Sequence, residues 1–119
     1  MRSALLWMSL LLFACGAEIG DECQSSVDCS PEGDRICDQA QAGGYCTVKE
    51  CAADGCPDDA LCVLFGSEQR FQRLYCMAAC EEEGDCRGSA YSCVRPEDND
   101  STVIDEHRSG RYCVETSSE

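Results

Sequence analysis

The sequence predicts a small disulfide-rich fold of three tandem β-hairpin modules around a minimal hydrophobic core. Cysteine fills 13 of 119 positions, and a share above ~8–10% in a short chain marks a disulfide scaffold. Large aliphatics and phenylalanines are sparse, 14 in the 105 residues from Cys15 onward. A reduced chain of that composition reads as disordered, so covalent staples must stand in for the missing core. The cysteines after Cys15 also recur in fours with the same neighbours, the mark of an internal repeat.

Disulfides persist only in oxidising compartments, so export is expected. The formal net charge is −14, and loss of a leader carrying Arg2 leaves −15. Such a field repels nucleic acid, anionic lipid and acidic polysaccharide, and it suits cations and basic partners.

Met1-Arg2-Ser3 carries one positive charge, and Ala4 to Phe13 is a ten-residue apolar run. The run is too short to span a bilayer, which takes about 20 residues. Its length and flanks fit a secretory signal. Leu12-Phe13-Ala14-Cys15 resembles the lipobox of bacterial lipoproteins. That resemblance implies a signal peptide over 1–14 and an acylated Cys15 as the first mature residue, followed by a tether over 15–22. Gly16 stands where the aspartate that retains lipoproteins in the inner membrane typically sits, so the resemblance implies the outer membrane. The alternative is ordinary secretion with cleavage after Ala17, leaving Cys15 at −3 and Ala17 at −1. Either way Cys15 leaves the disulfide pool, and the remaining twelve cysteines are an even number that can pair completely.

Those twelve fall into Cys23, Cys29, Cys37 and Cys46 (module 1, 23–50), Cys51, Cys56, Cys62 and Cys76 (module 2, 51–79), and Cys80, Cys86, Cys93 and Cys113 (module 3, 80–119, with a short polar tail). Only 4 and 3 residues separate successive sets. The second cysteine of each follows Val27-Asp28, Asp54-Gly55 or Gly84-Asp85, and the fourth follows Tyr45, Tyr75 or Tyr112. Each set reads as a tight loop with two cysteines, then a hairpin whose arms carry the other two. The arms are Arg35 to Asp38 with Tyr45 to Val48, Leu61 to Phe65 with Leu74 to Met77, and Tyr91 to Val94 with Arg111 to Val114. Gly43-Gly44, Gly66-Ser67 and a long loop ending at Gly110 supply the turns. Asp28, Asp54 and Asp85 suit Asx-type turns before the hairpins. The helix formers between Ser67 and Met77 leave room for one helical turn there.

Four cysteines allow three connectivities, and sequence does not choose among them. First-to-third with second-to-fourth is favoured because it pins the loop across both hairpin arms. That order resembles the first half of an epidermal-growth-factor-like domain, in cysteine order alone. Asp85-Cys86-Arg87 followed by Tyr91-Ser92-Cys93 resembles a pattern of cysteine-rich exported bacterial lipoproteins. This second resemblance implies location and architecture, not a reaction.

Few residues offer chemistry. Cys51-x4-Cys56 and Cys76-x3-Cys80 meet zinc spacing only loosely, and an exported chain oxidises its thiols. Glu97-Asp98-Asn99-Asp100 and Asp58-Asp59 carry oxygen ligands suited to calcium without EF-hand spacing, and they read as solvated acidic loops. His107 lies in a charged stretch with no nucleophile placed beside it. Asn99-Asp100-Ser101 matches a glycosylation acceptor, of use only in a eukaryotic host. Glu81-Glu82-Glu83 reads as a solvated turn. Phe65, Phe71 and Leu74 offer either an exposed apolar patch on the long second hairpin or, the preferred reading, the largest piece of the core.

The expectation is therefore a non-enzymatic protein without cofactor or metal, anchored in the cell envelope by lipid. It has a binding or structural role toward an unknown protein or cell-surface partner. The rival is a freely secreted effector such as a protease inhibitor or toxin-like ligand. The long loop from Val94 to Arg111 is the expected recognition surface.

Overall fold

The computed structural model describes residues 17–30, 32–66 and 68–116. Cys15, the leader and the lipidation expected of them lie outside these residues. The fold is small and mostly strand, and six disulfides hold it.

Each quartet contains an antiparallel strand pair. β1 (Ile36–Cys37) pairs with β2 (Cys46–Thr47), β3 (Ala60–Phe65) with β4 (Arg73–Cys80), and β5 (Tyr91–Val94) with β7 (Arg111–Glu115). The register places Cys37 opposite Cys46, Cys62 opposite Cys76 and Cys93 opposite Cys113. Residues directly opposed across a ladder share a face, so both sulfurs leave on the same side. They bond not to each other but to the loop that precedes the strands. The pairs are Cys23–Cys37, Cys29–Cys46, Cys51–Cys62, Cys56–Cys76, Cys80–Cys93 and Cys86–Cys113. The first cysteine of every quartet thus meets the third, and the second meets the fourth. The residue before the fourth cysteine, always tyrosine, points to the opposite face.

The strands do not divide into three separate hairpins. β4 runs on through Met77–Ala79 and pairs with β7, Ala79 opposite Tyr112 and Cys80 opposite Arg111. A further strand, β6 (Ser101–Val103), adds beside β3 with Val63 opposite Val103. The second and third quartets therefore share one five-stranded sheet of order β5-β7-β4-β3-β6, while β1 and β2 form a two-stranded sheet. The physical reason is edge pairing. A lone two-stranded ribbon is marginal in water, and fusing two ribbons removes two open edges. The Val94–Arg111 segment is correspondingly structured. It holds a 3-10 turn at Pro96–Asn99 as well as β6. A second 3-10 turn, Gln69–Phe71, fills part of the connection before β4.

The loops before the strands repeat as well. In the first, Ser26–Cys29 forms one turn of helix, and the Asp28 carboxylate accepts the N–H groups of Gln24 and Ser25. In the third, Glu83–Asp85 forms a 3-10 turn, and Asp85 accepts the N–H groups of Glu81 and Glu82 at 2.9 and 3.0 Å. The middle loop is one residue shorter and breaks the pattern. Asp54 sits at φ 59° and turns its carboxylate away from its own loop.

The core matches the sparse composition. Tyr45, Tyr112, Met77, Val63 and Thr47 are its largest fully buried side chains, and half-cystines fill much of the rest. A satellite of Cys23, Cys29 and Cys46 packs with Ala17 and Cys37. Gly44 fits there only without a side chain. Its φ is +78°, and a Cβ would lie 2.1 Å from the Cys23 carbonyl oxygen. Among the described residues no helix is long and apolar enough to cross a membrane.

Candidate binding surface

All twelve cysteines of the quartets are disulfide-bonded, so the two zinc-like spacings are parts of three different bridges. The calcium-like loop is engaged internally too. The Asn99 amide donates to the Tyr112 hydroxyl at 2.8 Å, which also ties up the nitrogen a glycan would need. Asp58 makes the one ion pair among the described residues, 3.6 Å from Arg108.

His107 is exposed and falls into a group with Asp54 and Glu106 whose possible ligand atoms lie within 4.8 Å of one another. A backbone clasp explains the grouping. The Asp54 carboxylate accepts the N–H groups of His107 at 2.9 Å and Glu106 at 3.2 Å. In return Asp105 accepts the N–H of Asp54 at 2.6 Å and that of Cys62 at 3.0 Å. The His107 N–H bond, followed by that of Glu106, holds the Asp54 carboxyl below its ordinary range. The aspartate that caps its own loop in quartets one and three here fastens the Val94–Arg111 strap to quartet two.

The motif residues of the third quartet are likewise structural. Arg87 donates to the carbonyls of Gly20 (3.1 Å), Ala42 (2.7 Å) and Gly44, and to the Tyr91 hydroxyl, with its guanidinium 4.6 Å from the Tyr91 ring centre. Tyr91 in turn donates to the Ala42 carbonyl at 2.6 Å. Arg108 repeats the device on quartet two, donating to the carbonyls of Cys56, Pro57 and Ala60. Arg35 reaches the Ala17 carbonyl. Three cations of this acidic chain are thus spent on holding backbone.

The remaining cations are distributed unevenly. Arg95 and Arg111 line a shallow depression with Glu97. Lys49, Arg70 and Arg73 converge on a larger groove of about 540 Å³, open to solvent, beside Phe71, Leu74 and Tyr75. Three elements build it. Val48–Glu50 lies along the free edge of β4, where Glu50 donates its N–H to the Leu74 carbonyl at 2.8 Å and Cys76 donates to Val48 at 3.0 Å. The 3-10 turn projects Arg70 and Phe71, and the first residues of β4 supply Arg73, Leu74 and Tyr75. Phe71 is 62% exposed, with the Arg70 guanidinium 5.9 Å from its ring centre. The expectation that Phe65, Phe71 and Leu74 together make core therefore needs correction at one residue. Phe65 packs edge-on against Tyr112 at 5.7 Å, and Leu74 is half-buried. Phe71 faces solvent because the turn carries it past the end of the sheet.

In the sequence alone Arg70 and Arg73 read as helix formers and Lys49 as part of the join between the first two quartets. Their clustering in an acidic chain is visible in the sequence for the two arginines. Lys49 arrives through the pairing of the join with β4, which no local pattern encodes. No protein-family model, curated protein or solved structure matches the chain.

Proposed function

We propose that this chain is an exported, lipid-anchored, disulfide-rich surface protein with a non-catalytic binding or structural role, its three quartets being copies of one hairpin module. One observation carries the export half of the reading. Six disulfides consume every cysteine from Cys23 to Cys113, and such a set is maintained only in an oxidising compartment. The anchor half rests on the lipobox-like Leu12-Phe13-Ala14-Cys15, which opens the tether over 15–22. The binding half is supported by how the polar groups are used. Arg87, Arg108, Asp54, Asp85 and Asp105 bond to backbone, while the groove at Lys49, Arg70 and Arg73 stays open.

Intact mass of the protein from its native host, before and after reduction, tests the reading. The expected result is a chain beginning at Cys15 with diacylglyceryl mass. Reduction then adds twelve hydrogens, two for each of six disulfides. A lipid-free chain beginning near Glu18 would overturn the anchor in favour of a secreted effector. A smaller gain on reduction would overturn the scaffold.

A further inference from the structure

We infer that the Lys49–Arg70–Arg73 groove is a docking site for a short acidic peptide segment of a partner protein, one that sets a carboxylate beside an apolar side chain. The inference rests on the binding role proposed above and not on the lipid anchor.

Three observations point to this occupant. The first is charge. Three cations and a single carboxylate, Glu50, share one groove in a chain of net charge −14, and among the described residues none of the cations has an ion-pair partner. The groove keeps a net positive charge on a surface otherwise rich in carboxylates. The second is the apolar lining. Phe71, Leu74 and Tyr75 stand among the cations, and aromatic rings beside arginine are the composition of interface anchors.

The third comes from the repeat. The tyrosine before the fourth cysteine is covered by another quartet in two of three cases. Tyr45 is fully buried, packs on Tyr91 at 5.7 Å, donates to the Cys113 carbonyl and accepts the Ala78 N–H. Tyr112 is fully buried against Phe65. Tyr75 is only half-buried, and the groove lies on it. The ring that meets another quartet's aromatic in quartets one and three is in quartet two covered only in part, by Phe65 of its own quartet at 6.2 Å.

The surrounding field selects the form of the ligand. At physiological salt, screening acts over about 8 Å. A compact segment seated in the groove feels the three cations, whereas a long polyanion or an anionic membrane must also face the surrounding carboxylates. This favours a peptide carrying one or two acidic residues over nucleic acid, acidic polysaccharide or a lipid surface.

The test is a titration of the oxidised, nitrogen-15-labelled full chain, followed by NMR amide shifts. The probe is a tetrapeptide of alternating glutamate and leucine, with a glutamine–leucine peptide as control. The expected shifts are confined to Lys49 and residues 69–75, and the acidic peptide binds at least tenfold more tightly than the control. R70E/R73E weakens that binding at least tenfold, and F71A weakens it with charge intact. All three residues are exposed, so both variants keep the six disulfides and the remaining amide shifts. Equal binding of the neutral peptide would overturn the acidic class while leaving a binding role. Shifts elsewhere, or none with either peptide at millimolar concentration, would overturn the groove. Vesicles of phosphatidylglycerol shifting the same amides while the peptide stays inert would replace the peptide with a lipid. None of these outcomes alters the mass measured for the anchor.

Discussion

Tyr45 belongs to the first quartet, yet its hydroxyl lies between strands of the other two. It donates to the Cys113 carbonyl at 2.9 Å and accepts the Ala78 N–H at 2.8 Å, with its ring fully buried. Burial pushes its ionisation well above the ordinary 10.0. The neutral form is favoured in the fold, so this contribution is complete below pH 10 and declines as pH rises past it. Removing only the hydroxyl leaves a buried donor and acceptor unpaired, at about 1–3 kcal/mol for such groups. Y45F should therefore lower the guanidinium unfolding midpoint of the oxidised protein by a corresponding amount. Y45A should cost more, roughly 3–5 kcal/mol by analogy with other large aromatics. Equal midpoints for Y45F and the parent would show that the hydroxyl bonds do not hold the first quartet in place.

The Val94–Arg111 strap shows how an element gains order without a core of its own. β6 supplies a short ladder to β3, Ile104 donates to the Cys62 carbonyl at 3.0 Å, Asp105 accepts the N–H groups of Asp54 and Cys62, and Asp54 accepts those of Glu106 and His107. D105A strips the partner from the Cys62 N–H and should raise amide exchange across 101–107 while β5 and β7 stay protected. Acid should do the same. The Asp54 carboxyl is held below its ordinary 3.8, so its clasp is complete above that pH and weakens as pH falls through the depressed value. Protection factors falling across 101–107 below pH 3.8, and unchanged by pH in D54N, would bear this out. Uniform opening of the whole sheet instead would mean that the strap is not a separate unit. This element also marks the limit of what the sequence made legible. Cysteine order and the Tyr-Cys repeat led to the interleaved bridges and the strand pairs, because both are local patterns. The strap read as a free loop because its ties run from Asp105 to Asp54 and Cys62, more than forty residues away. The groove is hidden from the sequence for the same reason, since Lys49 comes beside Arg73 only once the join lies along β4. Arg87 stands in a sequence motif, but the carbonyls it gathers, Ala42 and Gly44 of the first quartet and Gly20 before it, carry no sequence mark.

At the scale of the molecule, the shared sheet and the inserted Tyr45 and Arg87 make the quartets interdependent. Their unfolding should be one cooperative event. Near-ultraviolet tyrosine signal and backbone circular dichroism should follow coincident guanidinium transitions while the disulfides remain intact. Two separated transitions would show instead that the β1–β2 unit is an independent body. The path of β4 through the join has a further consequence, which concerns cutting rather than unfolding. Every peptide bond from Cys23 to Cys46, from Cys51 to Cys76 and from Cys80 to Cys113 lies inside at least one disulfide loop. A protease that nicks the chain there leaves the pieces joined. Within the cysteine framework only the two joins can sever it, and both are held as ladder: Val48–Glu50 against β4, and Met77–Ala79 within it. The covalent gaps of this molecule therefore fall where its backbone is least available to an enzyme's cleft, and a chain built this way can take one cut in each quartet without coming apart.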